Sequence, residues 1–277
     1  MQSNLIALGV VLSGLAAAPA QAALVMNYAD FSDTTGLTLN GNAAQAGNRL
    51  RVTPAFGNQA GSAFSTNKVS LATGAAFSTY FQFEFSSPGG ISDGEGVGAD
   101  GLVFVVQTVA NNVGSSGGGI GYQGILNSVG VEFDNWNNGG VDDNNGNHVG
   151  IDINGNIDSV VQANIATNFN GSGIWNAWID YDADTDWLEV RLTQDSLRPL
   201  LATLAYNVDL ASVLGSNEAF VGFTSGTGGA WANHDVLSWQ LQDEFRPIGN
   251  PVPEPASLAL VGLALAAAGA AGRNRRR

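Results

Sequence analysis

The sequence predicts an all-β protein with the architecture of an antiparallel β-sandwich, or jelly roll. Short segments alternate apolar and polar residues with a period near two and are rich in Val, Ile, Phe, Trp and Thr. Gly, Asn, Ser and Asp separate these segments, and only Asp209 to Leu214 indicates a short helical turn. Short strands at this spacing are typical of two packed antiparallel sheets. The predicted strands are 77–86, 101–109, 128–135, 148–154, 175–182, 186–193, 219–226 and 235–242.

Both ends of the chain differ in composition from this domain. Residues 1–22 are apolar and end in Ala-Gln-Ala, the small-residue pattern of a secretory cleavage site, so we expect a signal peptide there. Residues 251–277 contain a Pro-Glu-Pro unit, an apolar run of about 17 residues and four arginines. Such a run is at the short limit for a helix that spans a bilayer. The remaining residues, 23–250, are long enough for one well-filled domain.

The order of parts in residues 251–277 resembles a PEP-CTERM sorting signal. Val252-Pro253-Glu254-Pro255, the apolar stretch and the arginine cluster follow one another as in that signal. The resemblance implies export by a Gram-negative bacterium, transient anchoring in the inner membrane and processing by an exosortase-type protease. The processed protein is then expected at the outer surface or in the extracellular matrix. A plain C-terminal membrane anchor is the alternative.

The charge of the domain limits the classes of partner that it can bind. Residues 23–250 hold six basic and 23 acidic residues, a net charge of −17. Nucleic acid and anionic membrane surfaces are poor partners for such a charge, whereas divalent cations and neutral ligands are better ones. The chain has no cysteine, so an exported protein must be stable without disulfides. We therefore expect a large core, with metal as a further source of stability.

The most informative stretch is 131–152, VEFDNWNNGGVDDNNGNHVGID, which places carboxylates, amides and an imidazole close together. In a strand, Glu132 and Asp134 face the same side. Two acids on one buried side repel each other, and a cation reverses the sign of that energy. Oxygen ligands suit calcium, and the nitrogen of His148 suits a transition ion such as manganese or zinc. The stretch therefore predicts a metal site with the side-chain ligands Glu132, Asp134, Asn138, Asp143 and His148.

Two other interpretations of this stretch are less favoured. A polar surface hairpin with solvated acids would require five potential ligands to fall together by chance. An EF-hand calcium loop is excluded because DDNNGNHVGID lacks the order D-x-[DN]-x-[DN]-G-x5-E.

The spacing E-x-D-x-Ar-x-N-x4-D-x4-H-x-G-I-D, with Ar aromatic, resembles the metal loop of the legume-type (L-type) lectins. That resemblance implies a concanavalin-like sandwich that binds a calcium ion and a transition ion, usually manganese. It implies that Glu132 and His148 hold the transition ion, and that Asp134 and Asp143 bridge the two ions. Asn138 and the main-chain oxygen of Trp136 would complete the calcium site. Asn135 and Asn144 depart from the family pattern, which usually has Thr and Pro there.

Other segments extend the resemblance over most of residues 24–243. Ala99-Asp100-Gly101-Leu102 is similar to the family's strand start, where the Asp follows a cis peptide and accepts hydrogen bonds from sugar hydroxyls. Gly121, with Gly119 as the alternative, matches a glycine whose N–H binds sugar. The loop 226–233, with Gly229 and Ala230, corresponds to the variable loop that sets specificity.

The chemistry of these residues suits a sugar. The Asp100 carboxylate and the Asn138 amide can accept from and donate to adjacent hydroxyls. Trp136 or Trp231 offers a flat surface for the C–H face of a sugar, and calcium would fix Asn138 in place. We expect the other tryptophans, Trp175, Trp178, Trp187 and Trp239, to lie in the core, and His234 to be structural or on the surface.

Three functions compete. The favoured one is a non-enzymatic, exported carbohydrate-binding protein. A jelly-roll glycoside hydrolase needs a second carboxylate about 5–5.5 Å from the first, but the expected positions hold Asn137 and Asn138. A metal-stabilised matrix or adhesin protein without a working sugar site is the third. The sequence leaves open the sugar, the transition ion and the oligomeric state, since family dimers pair through edge strands or sheet faces.

Overall fold

The structure is a computed structural model that describes residues 24–249 with the exception of Val113 and Ser115. The predicted signal peptide and the predicted sorting segment, with its apolar run, lie outside these residues. The described residues include no helix of sufficient length and apolar character to cross a membrane.

Antiparallel strands make up nearly half of the described chain. The first half contains β1 (Met26–Tyr28), β2 (Leu37–Gly41), β3 (Ala44–Ala46), β4 (Arg49–Thr53), β5 (Ala60–Ser65), β6 (Val69–Ser70), β7 (Phe77–Gly90), β8 (Ser92–Asp93), β9 (Gly96–Val97), β10 (Gly101–Gln107) and β11 (Ser128–Asp134). The second half contains β12 (His148–Ile153), β13 (Val161–Asn164), β14 (Trp175–Asp182), β15 (Trp187–Thr193), β16 (Leu204–Asn207), β17 (Glu218–Gly226) and β18 (Ala230–Gln242). One α-helix, α1 (Leu210–Leu214), and 3₁₀ turns at Thr73–Ala75, Gly117–Gly119 and Gly139–Asp142 complete the elements assigned among the described residues.

These strands form two large sheets, which confirms the predicted sandwich. The back sheet has the order β16-β15-β14-β7-β18-β4-β3, with β1 beside β18. The front sheet has the order β13-β12-β11-β10-β17-β5-β2, with β6 beside β17. All eight strands expected from alternation are present. The strands that were not expected are mostly short and at sheet edges, where partial exposure weakens the alternation.

Aromatic side chains fill the space between the sheets. Phe83 of the back sheet packs on Phe133 of the front sheet with ring centroids 4.7 Å apart. Phe223 packs edge-on against Trp239 at 5.1 Å. Contacts of this kind add to the free energy gained by burying apolar area. The core therefore holds β11, the strand of Glu132 and Asp134, by the side chain of Phe133 that lies between them in sequence.

The outer face of the front sheet carries a second, smaller apolar cluster. Val103 and Val105 point away from the main core and pack beneath Ile120 and Tyr122 from the connection between β10 and β11. Tyr122 donates a hydrogen bond to the carbonyl of Asp152 at 3.2 Å. This covering loop turns the outer face beside Glu132 and Asp134 into a buried site.

The predicted helical turn is confirmed as α1. The Asp209 carboxylate accepts a hydrogen bond from the Ser212 amide at 2.9 Å, so it caps the first turn. Gly215 ends the helix at a φ of 66°, a conformation that favours glycine.

One expectation about a large residue needs correction. Trp187 is 46% exposed, because it lies at the start of β15 on the solvent side. Trp178 is buried as expected, and its ring packs at a tilt against Tyr80 with a centroid distance of 4.9 Å. Trp175 and Trp239 are core residues as expected, and His234 is a fully buried structural residue.

Candidate functional site

Two neighbouring strands bring the central acids and the imidazole together. Asp134 of β11 pairs with His148 of β12, and Glu132 pairs with Gly150. His148 Nε2 lies 3.0 Å from Glu132 Oε1. One ligand atom from each of Glu132, Asp134 and His148 lies within 4.8 Å of the others. Alternation predicted this arrangement, since Phe133 and Val149 point into the core on the opposite face.

This group is almost completely buried. Glu132, Asp134 and His148 are at most 2% exposed. Burial, and then the negative charge of Glu132, raises the pKa of Asp134 well above its usual range. A site that destabilises its own carboxylates to this extent favours a bound cation.

Ser159 and Asp152 support the group from behind. Ser159 Oγ lies 2.8 Å from Glu132 Oε1 and 2.6 Å from Asp152 Oδ1. Burial and the Glu132 charge raise the pKa of Asp152 as well. Gly150 provides the space for this contact, because a Cβ there would lie 2.1 Å from Ser159 Oγ. Sequence reasoning placed Asp152 on this face but missed Ser159, which no local pattern links to the motif.

The loop between β11 and β12 departs from the predicted ligand set at one position. Asp142 is 3% exposed, and its carboxylate accepts a hydrogen bond from the amide of Asn138. Asp143 is exposed, and its Oδ2 lies 3.2 Å from Gln162 Nε2. The reason is local, since Gly139–Asp142 forms a 3₁₀ turn that ends at Asp143 with a φ of 49°. The two consecutive carboxylates therefore point to different sides.

Asp142 belongs electrostatically to the buried group. Its pKa is raised, first by burial, while the Asn138 hydrogen bond and the charge of His148 act in the opposite direction. The motif spacing predicts Asp143 as the metal ligand. The two consecutive aspartates were the signal in the sequence that Asp142 could occupy the ligand position instead.

The rest of the metal loop is held by polar contacts. The amide of Trp136 donates to Asp134 Oδ1 at 2.7 Å, and the Trp136 side chain is half-buried. Asp93 from the β8–β9 hairpin accepts a hydrogen bond from the amide of Asn137 at 2.9 Å. Asn147 bonds to the carbonyls of Ile165 and Thr167 at 2.6 and 3.0 Å. These contacts position the loop from both flanks, and the sequence had indicated none of them.

Asp100 directly precedes β10 and lies beside the buried group of Glu132, Asp134 and His148. The Ala99–Asp100 peptide bond is cis, as the resemblance implied. Asp100 is 4% exposed, and its Oδ2 has no hydrogen-bond partner within the part of the chain that is described. Burial, and then the charge of Asp142, raises the pKa of Asp100 to about 7. An acceptor that is buried and unpaired is suited to a ligand with hydroxyl donors.

A different glycine from the expected ones meets Asn138. A Cβ at Gly118 would lie 2.4 Å from Asn138 Oδ1. The candidates Gly119 and Gly121 are buried, and a Cβ at Gly121 would lie 2.9 Å from the amide nitrogen of Ser225. Gly119 and Gly121 thus lie in the covering loop beside Gly118, and a sugar contact from either of them stays a prediction. Alignment by motif alone could not distinguish among neighbouring glycines.

The variable loop lies over Asp100. A Cβ at Gly228 would lie 3.5 Å from Asp100 Oδ2 and 3.7 Å from the Cα of Gly117. Gly229 is exposed, whereas Ala230 is buried and begins β18. Gly228 and Gly229 therefore present backbone to the site, and Ala230 anchors the loop.

Trp231 is not a free platform beside Asp100. Its ring packs on the backbone of the back sheet, since a Cβ at Gly89 would lie 2.7 Å from Trp231 Nε1. Phe56 is instead 69% exposed, and its carbonyl accepts a hydrogen bond from Thr227 Oγ1 at 2.6 Å. An exposed aromatic ring on a loop bonded to the variable loop is a feature that sequence reasoning missed.

The residues present fit a metal-organised site. The buried polar atoms without a hydrogen-bond partner in residues 24–249 include His148 Nδ1, Asp152 Oδ2, Asn135 Oδ1 and Asp100 Oδ2. Such atoms are normally paired in proteins, and here they surround a set of carboxylates with one imidazole. Oxygen donors suit calcium, and the carboxylate–imidazole pair suits a transition ion.

Comparisons with known proteins identify the family of this chain. Residues 23–253 match the model of the legume lectin domain, and residues 251–277 match the PEP-CTERM protein-sorting motif. Favin from Vicia faba is 30% identical over 224 residues, which cover 77% of this chain and 92% of favin. The lectin domain of receptor kinase VIII.1 from Arabidopsis thaliana is 31% identical over 176 residues, or 61% of this chain. The match spans about a quarter, 24%, of that kinase's length.

Solved structures give the same result. Basic winged bean lectin with Tn-antigen superposes with a TM-score of 0.65 and 30% identity, covering 78% of this chain and 96% of that one. Winged bean acidic lectin complexed with methyl-α-D-galactose gives a TM-score of 0.66 and 27% identity over 78% and 96% of the two chains. The fold and the site thus define a lectin-type β-sandwich. The chain belongs to the legume lectin family and carries a PEP-CTERM sorting motif at its end.

Proposed function

We propose that this protein is an exported, non-enzymatic lectin whose glycan site is formed by Asp100, Asn138 and the backbone of Gly118 and Gly228. The observation that supports this most directly is the buried Asp100 carboxylate, whose Oδ2 has no partner among the described residues and lies next to Gly228. Gly117 and Gly118 connect Gly228 to Asn138 along one side of the site.

Metal ions would organise this site. Glu132 and His148 would hold a transition ion such as manganese, and Asp134 with one carboxylate of the Asp142–Asp143 pair would be shared with calcium. Spacing favours Asp143 for that position, and burial favours Asp142.

Asn138 and the main-chain oxygen of Trp136 would complete the calcium site, as the family resemblance implies. Bound ions would neutralise the buried carboxylates and fix Asn138. The metal would thus preorganise the glycan site without contacting the sugar.

The remaining parts of the site would recognise sugar by shape and polarity. Asp100 accepts from hydroxyls, the Asn138 amide donates, and glycine backbone allows close approach. The loop 226–233, with Gly229 at its exposed tip, would set specificity, supported by Ala230. Phe56 or Trp136 offers an apolar face for sugar C–H groups. Tn-antigen and methyl-α-D-galactose, the ligands named for the two winged bean lectins, are the first probes to use.

The sorting motif supports export followed by exosortase-type processing. We propose that the processed domain acts at the outer surface or in the extracellular matrix of a Gram-negative bacterium. Its membrane contact would be transient and through residues 251–277 alone. The acidic domain would not bind nucleic acid. A homo-oligomer of this domain is compatible with the proposed function.

The test uses residues 23–250, which form one compact unit. Binding to a glycan array is measured with calcium and manganese and then with chelator, for the wild type and for Asp100→Ala and Asn138→Ala. We expect metal-dependent binding that both substitutions abolish. Asp184→Ala, at an exposed turn of the back sheet, is the control and should bind normally. A metal-stabilised protein that binds no glycan would favour the matrix or adhesin function instead.

A further inference from the structure

A chain of hydrogen bonds crosses the interior from the back sheet to the front sheet. His234 Nδ1 on β18 lies 2.8 Å from Thr53 Oγ1 on β4. Thr53 Oγ1 lies 2.7 Å from Ser225 Oγ on β17. Ser225 Oγ lies 2.7 Å from the carbonyl oxygen of Gly101 on β10, the residue directly after Asp100. His234, Thr53 and Ser225 are all 0% exposed.

The carbonyl at the end of this chain determines the direction of every bond in it. A carbonyl oxygen only accepts, so the Ser225 hydroxyl must donate its one hydrogen to Gly101. Ser225 then accepts from the Thr53 hydroxyl, and Thr53 accepts from a hydrogen on His234 Nδ1. His234 therefore carries a hydrogen on Nδ1, and in the neutral ring Nε2 is then bare.

The surroundings of His234 agree with that tautomer. His234 Nε2 has no hydrogen-bond partner in the described chain, so a second hydrogen there would be a buried donor without an acceptor. The imidazole packs edge-on against Phe85, with centroids 4.5 Å apart. Burial alone lowers the pKa of His234 to about 3, so the ring stays neutral at physiological pH.

Buried polar groups are costly in an aromatic core unless they are paired. The carbonyl of Gly101, where this chain of hydrogen bonds ends, therefore indicates what the chain of bonds holds in place. Gly101 is pressed onto the metal-loop strand, since a Cβ there would lie 2.6 Å from the Phe133 carbonyl oxygen. The Asp100 amide donates to the Gly226 carbonyl, and the Asp100 carbonyl accepts from the Asn135 amide, both at 3.1 Å. Ser225 adds the contact that holds this peptide from the core side.

We propose that His234, Thr53 and Ser225 form a directional relay that positions the backbone of Asp100 and Gly101, and hence the Asp100 carboxylate, against β11. They are positioning residues, because none of them touches the proposed glycan site. The glycan readout rests on the proposed function, whereas the two readouts by magnetic resonance and hydrogen exchange do not.

The tautomer is tested by ¹⁵N spectra of histidine-labelled protein, residues 23–250. The chain has two histidines, and His234→Gln assigns the signals. We expect a protonated Nδ1 and an unprotonated Nε2 for His234 that do not change between pH 5 and pH 8. A hydrogen on Nε2 with a bare Nδ1 would make Thr53 donate to His234 and leave no hydrogen for the Thr53–Ser225 bond, which would overturn the relay.

Positioning is tested with Thr53→Val, which preserves shape but removes both bonds of the hydroxyl. Thr79→Val is the matched control. Thr79 is equally buried on β7 and bonds to Trp239 Nε1, away from Asp100. We expect Thr53→Val to increase amide hydrogen exchange at Asp100 and to weaken glycan binding, each about tenfold. Thr53→Ser, which restores the hydroxyl, should recover both.

Thr79→Val should lower the melting temperature about as much as Thr53→Val does. It should neither increase hydrogen exchange at Asp100 nor weaken glycan binding. Equal exchange at Asp100 in Thr53→Val and Thr79→Val would refute the positioning role. If the wild type binds no glycan, the proposed function fails, and hydrogen exchange at Asp100 still decides whether the relay positions this residue.

Discussion

Asp134 and His148 lie directly opposite each other on neighbouring antiparallel strands, and both side chains point away from the core. Strand pairing thus brings an acid and an imidazole that are 14 positions apart into one buried group with Glu132. Slipping the register of β12 by one residue would place Val149 opposite Asp134. It would also turn the His148 side chain to the core face, where Phe133 lies. The site therefore depends on the packing of the sandwich as much as on the motif.

Removal of metal should destabilise the domain. Without a cation, Glu132, Asp134 and their buried neighbours repel one another, so we expect chelator to lower the melting temperature. At metal concentrations about a hundredfold above Kd, the difference should be about 5–10 °C. Calorimetric scans with and without chelator measure it, and Asp134→Asn, which removes the carboxylate proposed to be shared by both ions, should show little difference between the two conditions. An unchanged melting temperature for the wild type would count against the metal site.

The two consecutive acids of the loop should differ in their effect on the metal-free protein. Asp142 is buried among like charges and Asp143 is exposed. In chelator, Asp142→Asn should raise the melting temperature by about 2–4 °C, whereas Asp143→Asn should leave it within about 1 °C. Thermal melts of both variants check this. The same pair, titrated with calcium and manganese, identifies the metal ligand, since only the variant lacking that ligand loses the stabilisation by metal.

Asp100 should make the metal-free domain less stable as the pH rises. Its folded pKa of about 7 lies above the unfolded value of about 3.9. The neutral form is therefore favoured by folding, and its contribution is fully present below about pH 4 and lost as the pH rises through about 7.

The change in unfolding free energy from this group should be on the order of 2–4 kcal/mol. Urea unfolding in chelator from pH 4 to pH 8 should show it in the wild type and not in Asp100→Asn. His234 acts in the opposite sense as the pH falls from about 6.5 towards 3, but it is present in both proteins and cancels. Parallel pH profiles for the two proteins would contradict the expectation.

A methyl group at Gly118 should disrupt glycan binding. A Cβ there would lie 2.4 Å from Asn138 Oδ1 and 2.9 Å from Asn138 Nδ2, so the Asn138 amide must move in Gly118→Ala. We expect at least a tenfold loss of glycan affinity, with a change in stability below about 1 kcal/mol. Gly140→Ala is the control, because a Cβ at Gly140 meets nothing within 4 Å. Equal affinities measured by titration calorimetry for the two variants would show that Gly118 lies outside the site.

Much of the fold could be predicted because its signals are local. Alternation in VEFD and HVGIDI places acids and apolar side chains on opposite faces, and the core at Phe133 and Val149 confirms it. The α1 cap was similarly readable from Asp209. Short edge strands such as β3 and β13 were missed because one side of each faces solvent and hydrophobic contrast is weak. Trp187 was misplaced for the same reason, since alternation does not say which strand end is covered.

Some site details could not be read from spacing. Asp142 and Asp143 are adjacent in sequence, and a positive φ at Asp143 separates their side chains. Gly118, Gly119 and Gly121 are equally compatible with a turn, and only the position of Asn138 distinguishes them. Trp231 does not have its expected role as an open platform, because Gly89 and Gly90 provide a surface against which the indole packs.

The sequence by itself determined the class of this protein. A two-residue period and a motif of fixed spacing are properties of the local chain, and they suffice to predict a sandwich, a family and most of the proposed metal ligands. Only the tertiary structure decided which carboxylate is buried, which glycine meets Asn138, and how His234, Thr53 and Ser225 connect to Gly101. Those relationships join residues up to 181 positions apart, and they arise when two sheets pack and bury polar groups that must then find partners.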